Sequence, residues 1–379
     1  MREILFVSVH PRGRVPSQRF RFEQYVEFLG EHGFRTTFSS VLRPNEYRLL
    51  YAPGRHARKA LIAARGFVRR LGDIARASRY DIIFVQREAI QLGTALFEDA
   101  FSRTDARLVF DFDDAIWLSN ASEANRRFAW LKRPGKTPRI ISLADMVFAG
   151  NGYLMDYALQ FNTQVKLVPT TIDTDRYVKN CVPSQPGRVC IGWSGSITTI
   201  QHFELMVPIL RRLRQRFGDK VYFKVIGDRG YRSEELEIQG AEWNPETEVD
   251  DLSELDIGLM PLPDDEWAKG KCALKGLQYM ALGTPTVMSP VGVNADIIQD
   301  GLNGFLARSE EDWFEKLSRL IESPRLREEL GNAARETVRR SYSVESQKRR
   351  YVEYMSQVLE GSPTKRRAKL SQASRYGSR

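Results

Sequence analysis

Short, almost wholly apolar runs recur along this chain, each followed by a turn and an amphipathic helical stretch, and that alternation admits few folds. In the first half the runs are ILFVSV (4–9), TTFSSV (36–41), IIFVQ (82–86), LVFDF (108–112), MVFAG (146–150) and VKLVP (165–169). A second series comprises VCIGWSG (189–195), VYFKVIGD (221–228), IGLMPL (257–262), TPTVMSP (284–290) and GFLA (304–307). Strands with so little polar alternation need cover on both faces, the situation of parallel strands flanked by helices. Between the series, TDRYVKNCVPSQPGR (174–188) is polar and proline-containing and reads as a linker. The pattern predicts an α/β chain of two doubly wound domains facing across a cleft, with ligands at the carboxyl ends of the strands. The expected limits are 1–175 for the first domain, 176–188 for the linker and 189–340 for the second domain. A C-terminal helix at 341–360 is free to pack back on the first domain, and 361–379 lacks apolar periodicity and reads as a disordered tail.

Composition narrows the function classes. The 379 residues are 42% hydrophobic, enough for real cores. Cys181, Cys190 and Cys272 are an odd number at unrelated spacings. They read as reduced thiols of a cytoplasmic protein without a zinc site. No apolar run reaches the roughly 18–20 residues of a membrane span, and the first run is too short for a signal peptide. The net charge of +9 is unevenly spread. Residues 54–80 hold eight basic residues against Asp73, and the segment after Gly361 holds six with no acid, so the rest of the chain carries −4. The body is therefore not a nucleic-acid binder, and two basic patches need their own account.

Two stretches of the second domain point to an anion. IGWSGSITTIQ (191–201) is a strand, a small-residue loop and a helix start; Ser194, Gly195, Ser196, Thr198 and Thr199 could approach a phosphate closely. It is neither a dinucleotide fingerprint nor a Walker loop, and such a turn is also found with no ligand at all. In GKCALKGLQYMALGTPTV (270–287), helical spacing predicts Lys271, Lys275 and Gln278 on one face, with Gly283 and Pro285 ending the helix. Cations at a helix start are locally unfavourable and make sense if an anion arrives there. A solvated lysine face is the other reading.

The order of motifs resembles the family 4 glycosyltransferases of GT-B fold. VPTTID (168–173), QYMALGTPTV (278–287) and DGLNGFL (300–306) stand where that family has its donor-domain signatures. The resemblance implies two Rossmann-like domains, a nucleotide-diphosphate sugar as donor and co-substrate, no other cofactor and no metal. It implies that Ser194, Gly195, Ser196, Lys271 and Lys275 bind the donor diphosphate, the lysines also acting catalytically. Gln278, Gly227 and Asp228 would serve the ribose and base, with retention of configuration. The family usually carries a glutamate at the place of Gln278 and another at the place of Gly270, so its paired carboxylates are absent. Asp264, Asp265 and Glu266 could serve sugar hydroxyls instead, or form a hydrated loop.

In the first domain, HPRGRVPSQRF (10–20) follows the first strand. Gly13, Ser17 and Arg19, with Arg87 and Glu88 after the third strand, are expected at the acceptor side, His10 being the one histidine at a strand end. FDFDDAIW (110–117) has three readings. It resembles the Asp-x-Asp of haloacid-dehalogenase-type phosphatases, with Asp111 as nucleophile and Asp113 beside it. It also resembles the metal-binding Asp-x-Asp of the other major glycosyltransferase fold. The favoured reading sets Asp113 and Asp114 at a strand tip, orienting or deprotonating an acceptor hydroxyl.

From Arg58 to Ser78, Leu61, Ala64, Phe67, Val68, Leu71, Ile74 and Ala75 recur at helical spacing, with Arg58, Arg65, Arg69 and Arg76 on another side. This suits an anionic membrane surface, aided by the basic tail, and equally an ordinary domain helix with a wet basic face. The expectation is a cytoplasmic glycosyltransferase, peripheral on the inner face of the membrane. It would serve a glycan or lipid-linked acceptor in surface polysaccharide synthesis. An aspartyl phosphatase and a non-catalytic nucleotide-sugar binder are the alternatives.

Overall fold

The computed structural model describes residues 1–46, 54–118, 134–180, 185 and 187–361. Cys181, part of the expected linker and all but the first residue of the expected tail lie outside them. The chain forms two compact units, Met1–Pro169 with the segment from Lys348, and Thr170–Gln347. The division falls at Thr170, before the expected linker, and Tyr177 is buried within the second unit.

The first unit is built on six strands: β1 (Arg2–Ser8), β2 (Phe34–Ser40), β3 (Ile82–Gln86), β4 (Arg107–Phe112), β5 (Met146–Ala149) and β6 (Val165–Leu167). They pair in the order β2-β1-β3-β4-β5-β6, all parallel, with Val7 opposite Val85 and Gln86 opposite Asp111. Every residue of β3 is buried, as a strand covered on both faces requires. Phe6 anchors the core, stacked on Phe22 at 4.7 Å and tilted against Phe84 at 5.0 Å. The helix Val344–Glu360 contributes Tyr351, stacked on Tyr25 at 4.2 Å and edge-on to Phe148 at 5.6 Å.

The second unit has β7 (Val189–Ser194), β8 (Val221–Ile226), the small antiparallel pair β9 (Arg232–Ser233) and β10 (Ile238–Gln239), then β11 (Ile257–Met260), β12 (Thr286–Met288) and β13 (Phe305–Leu306). Its main sheet is parallel in the order β13-β12-β11-β7-β8. The hairpin β9–β10 carries no apolar run and went unread in the sequence. In both sheets the chain fills one side of its first strand and then returns to the other, so each has a switch point: β1 and β3 in the first, β7 and β11 in the second. Crevices of this kind open at the carboxyl edge of the sheet.

The helix His56–Ala75 departs from expectation. Its buried line is Ile62, Gly66, Arg70 and Asp73, while Leu61, Val68 and Leu71 face solvent. Gly66 admits close approach to β2's exit, since a Cβ there would lie 2.5 Å from Val41 Cγ1. Arg70 replaces an apolar contact with bonds: to Asp73 Oδ2 at 2.7 Å, the Ser8 carbonyl at 2.6 Å, the Ala89 carbonyl at 2.6 Å and Ser39 Oγ at 2.9 Å. The pair is wholly enclosed, so the charge of each partner depends on the other. Arg70→Ala should therefore lower the stability of this unit by about 3–5 kcal/mol in urea unfolding. A loss below about 1 kcal/mol would refute the pinning role.

Candidate active sites at the two switch points

At the carboxyl end of β7, Ser194 donates its N–H to the buried Tyr279 hydroxyl at 2.7 Å. The turn that follows is tight. A Cβ on Gly195 would lie 2.0 Å from the Trp193 ring, and one on Gly227, at φ +116°, would lie 2.0 Å from the Gly195 carbonyl oxygen. Gly195 and Gly227, predicted for phosphate and base, are thus brought together by the packing of β7 against β8. Ser196 opens a 3-10 turn, Ile197–Thr199, in which the hydroxyls largely satisfy one another. The Ser196 N–H donates to Thr199 Oγ1 at 3.0 Å, and Ser196 Oγ lies 3.0 Å from Thr198 Oγ1. The turn leads into only a five-residue helix, Ile200–Glu204, so the expected long helix start is replaced by this self-capped turn.

Lys271 and Lys275 do not share a helix. The helix begins at Leu274 because Ala273 takes a left-handed conformation, φ +55°, and Lys271 lies in the turn before it. The two ammoniums still feel each other. Lys275 Nζ lies 4.4 Å from the Trp193 ring centroid and donates to Thr199 Oγ1 at 3.5 Å. Among the described residues no carboxylate pairs with it. Burial, and then Lys271, bring its pKa down to about 7. Lys271 Nζ lies 4.8 Å from the Trp267 ring.

A residue that the sequence reading passed over joins them. His202 is buried, its Nδ1 has no hydrogen-bond partner among the described residues, and its pKa is lowered to about 4 by burial, Lys275 and Lys271. It is a neutral ring beside two cations. Asp265, which opposes this shift, is also the N-cap of the helix Glu266–Lys269, accepting from Ala268 N–H at 2.7 Å. Glu266 pairs with Lys269 at 2.6 Å. These acids thus have structural partners.

Gln278 sits on the buried side of the lysine helix. Its amide donates to the Tyr177 hydroxyl at 2.8 Å and to Glu248 Oε1 at 3.2 Å. Glu248 is itself buried and accepts from the Tyr177 hydroxyl at 2.8 Å and from Trp243 Nε1 at 2.8 Å. Glu248 is the carboxylate these bonds share among the described residues, and Gln278 supplies one of its donors. Tyr177 and Glu248 stand too far along the chain for local spacing to have shown this. Asp228 turns its carboxylate onto the Gly230 N–H at 2.8 Å.

In the first unit, the loop after β1 is organised by Glu23, which accepts from Gly13 N–H at 2.8 Å and Gln18 Nε2 at 3.2 Å. Gly13 has φ +77°, Ser17 is half-buried, and Arg19 is buried with its guanidinium 4.9 Å from the Phe20 ring. At the end of β3, Arg87 takes a left-handed φ of +60° that aims its side chain at the end of β4. There it bonds Asp113 Oδ1 at 2.7 Å and reaches Asp114 Oδ2 at 3.5 Å. Glu88 pairs with Lys136 at 2.6 Å. Burial and Arg87 lower the His10 pKa to about 4. Gly13, Ser17 and Arg19 therefore stand at one strand end, and Arg87, Asp113 and Asp114 at its neighbours. Asp111 is different: it is wholly enclosed, with both oxygens bonded to Arg21. Being held by Arg21 in an enclosed pair is a structural role, and it lends no support to the phosphatase reading. Among the described residues no group of three or more His, Cys, Asp or Glu is placed to hold a metal ion.

Residues 188–323, which carry β7 to β13 and the lysine site, match the model of the family Glycosyl transferases group 1. Comparison with curated proteins gives no significant match. Solved structures are similar over almost the full chain. A glycosyltransferase from Rickettsia africae has a TM-score of 0.67 at 14% identity, covering 95% of this chain and 99% of its own. Sucrose-phosphate synthase from Thermosynechococcus elongatus has a TM-score of 0.67 at 14% identity, covering 96% and 100%. The fold is GT-B. Anabaena HepE, solved in complex with UDP and glucose, has a TM-score of 0.62 at 13% identity, covering 94% and 99%.

The Gln278 network makes a prediction of its own. A second carboxylate at 278 would face Glu248 across about 3 Å. Gln278→Glu should therefore cost about 3 kcal/mol of stability, and Gln278→Glu with Glu248→Gln should recover most of it. Denaturant midpoints of the three variants measure this; a double variant no better than the single one would refute the pairing.

Proposed function

We propose that this chain is a glycosyltransferase that moves a sugar from a nucleotide-diphosphate sugar to a glycan or lipid-linked acceptor with retention of configuration, in surface polysaccharide synthesis. One observation carries the reading. Lys275 holds an ammonium at the switch point of the second sheet, against Trp193 and a hydroxyl, with no carboxylate paired to it among the described residues, inside the segment that matches the glycosyltransferase family. A diphosphate supplies the missing anion. Lys275 and Lys271 hold its growing charge as the bond from anomeric carbon to phosphate oxygen breaks, a role in which pre-placed cations lower the barrier. The acceptor oxygen forms its bond on the same face and passes its proton to the departing phosphate. In the first unit, Arg87 with Asp113 and Asp114 is the proposed acceptor-side group.

UDP-sugars are the first donors to test, because HepE is solved with UDP-glucose. The matching donor should raise the thermal midpoint across a panel of UDP-, GDP- and ADP-sugars. Lys275→Ala should lower kcat/KM for transfer by about 10²–10³. Stabilisation by a donor without transfer to any acceptor would favour a binding protein, and no stabilisation by any donor would end the reading.

The lysine also sets a pH dependence. Its pKa is about 7 in the free protein, and a bound diphosphate raises it, so binding takes up a proton once the solution lies above that value. Donor affinity should be full below about pH 7 and fall as the pH rises, by up to about tenfold per unit. Titration calorimetry in buffers of different protonation heat reads the uptake directly. A pH-flat affinity in the wild type, or a slope that survives Lys275→Ala, would place the proton elsewhere.

A further inference from the structure

The helix His56–Ala75 presents to solvent the kind of residues a domain helix buries. Leu61 is 69% exposed, Val68 66% and Leu71 49%. With the exposed Ala64 and Ala75 they fall at i, i+3, i+7, i+10 and i+14, one straight stripe along the outer face. Single exposed leucines mean nothing, but an aligned run on one helix is an interaction surface. The fold does not need it, since the inner face is already closed by Ile62, Gly66 and the Arg70–Asp73 pair. No helix among the described residues is long and apolar enough to cross a membrane, so the stripe belongs to a surface and not to a span.

Arg58, Arg65, Arg69 and Arg76 form a row along one side of the stripe, at i, i+7, i+11 and i+18. Arg65 is paired with Glu46, and Asp73 is shared between Arg70 and Arg76. Arg69 bonds only the neutral Ser40 carbonyl through Nη1, at 2.8 Å, and Arg58 and Arg69 have no acid paired to them among the described residues. The row therefore keeps a net positive charge beside the apolar line. We propose that this helix lies flat in an anionic membrane surface, Leu61, Val68 and Leu71 seated below the headgroups and the arginines at their level. This goes beyond the transferase reading and does not rest on it.

Charge and size decide against the other occupants. Residues 362–379 carry six basic residues and no acid, so they share the sign of the row they would have to cover. A second copy laid on this face would bring arginine rows together. It would also bury three aliphatic side chains spread over about 15 Å, well short of the roughly 800 Å² per partner of a stable interface.

The test is co-sedimentation of the full chain with phosphatidylcholine vesicles, with and without phosphatidylglycerol. Wild type should pellet with the anionic vesicles at low salt, stay in solution with neutral ones, and be released as salt rises. Leu61→Ser with Val68→Ser and Leu71→Ser should weaken retention about tenfold or more, with an unchanged thermal midpoint, because none of the three is buried. Arg58→Gln with Arg69→Gln should weaken it and flatten the salt dependence. Failure of wild type to pellet, equal retention on both vesicles, or full retention of the triple variant (binding through residues 362–379) would overturn the proposal. A wild-type dimer in light scattering that the triple variant loses would assign the stripe to a second copy and overturn it too.

Discussion

In a parallel sheet the carboxyl ends of all strands lie on one edge, and the loops that leave them can differ without breaking the ladder. Each unit of this chain obeys that constraint and reverses the order of its strands once. In the first unit the reversal lies between β1 and β3, which bring the Gly13–Arg19 loop and Arg87 to neighbouring strand ends. In the second it lies between β7 and β11, whose exits are the Ser194–Thr199 turn and the chain that leads to Lys271. The candidate residues stand at the carboxyl edge because they lie on the segments that leave these strands.

The protein handles enclosed charge in two ways, and the contrast separates scaffold from site. Arg21 with Asp111, and Arg70 with Asp73, are closed units: each guanidinium meets a carboxylate and at least one backbone carbonyl. Such pairs fix geometry and leave nothing for a ligand. Lys275 has an indole face and one hydroxyl, and Lys271 lies close enough to lower its pKa. The second arrangement stores a cost that an incoming anion relieves. The same logic reads Arg87 as an intermediate case, a cation shared between two carboxylates at a strand end.

Much of this was legible in the sequence, for identifiable reasons. Uniformly apolar runs marked the strands, with ends shifted by a few residues where Pro261 or Gly227 closes a run. Lys271 and Lys275 were legible as a candidate anion site because a cation at an apolar helix start has few structural uses. Its local form was not: the left-handed Ala273 that separates Lys271 from the helix leaves no mark in side-chain spacing. Nor could periodicity say which face of His56–Ala75 turns inward. An arginine can be buried if four bonds await it, and those come from Ser8, Ser39, Asp73 and Ala89, three of them on other elements. His202 and Glu248 escaped for the same reason, since their significance lies in partners far along the chain. The one available signal was a glutamine, Gln278, on an otherwise apolar helix face, which asked for a buried partner.

That glutamine also explains how Lys275 is kept as it is. Positions 275 and 278 are three apart on one helix, the separation at which a glutamate and a lysine attract. A carboxylate at 278 would lie within reach of the ammonium, raise its pKa and compete with a ligand anion. It would also repel Glu248. With an amide at 278, the negative charge stays on Glu248, held by Tyr177, Trp243 and Gln278 itself, and the positive charge stays at the crevice. The helix Leu274–Ala281 thus divides two charges of opposite sign without pairing them. Its neutral Gln278 meets the buried carboxyl of Glu248, which belongs to the helix Glu248–Ser253, while Lys275 of the same helix as Gln278 turns to Trp193 and Thr199.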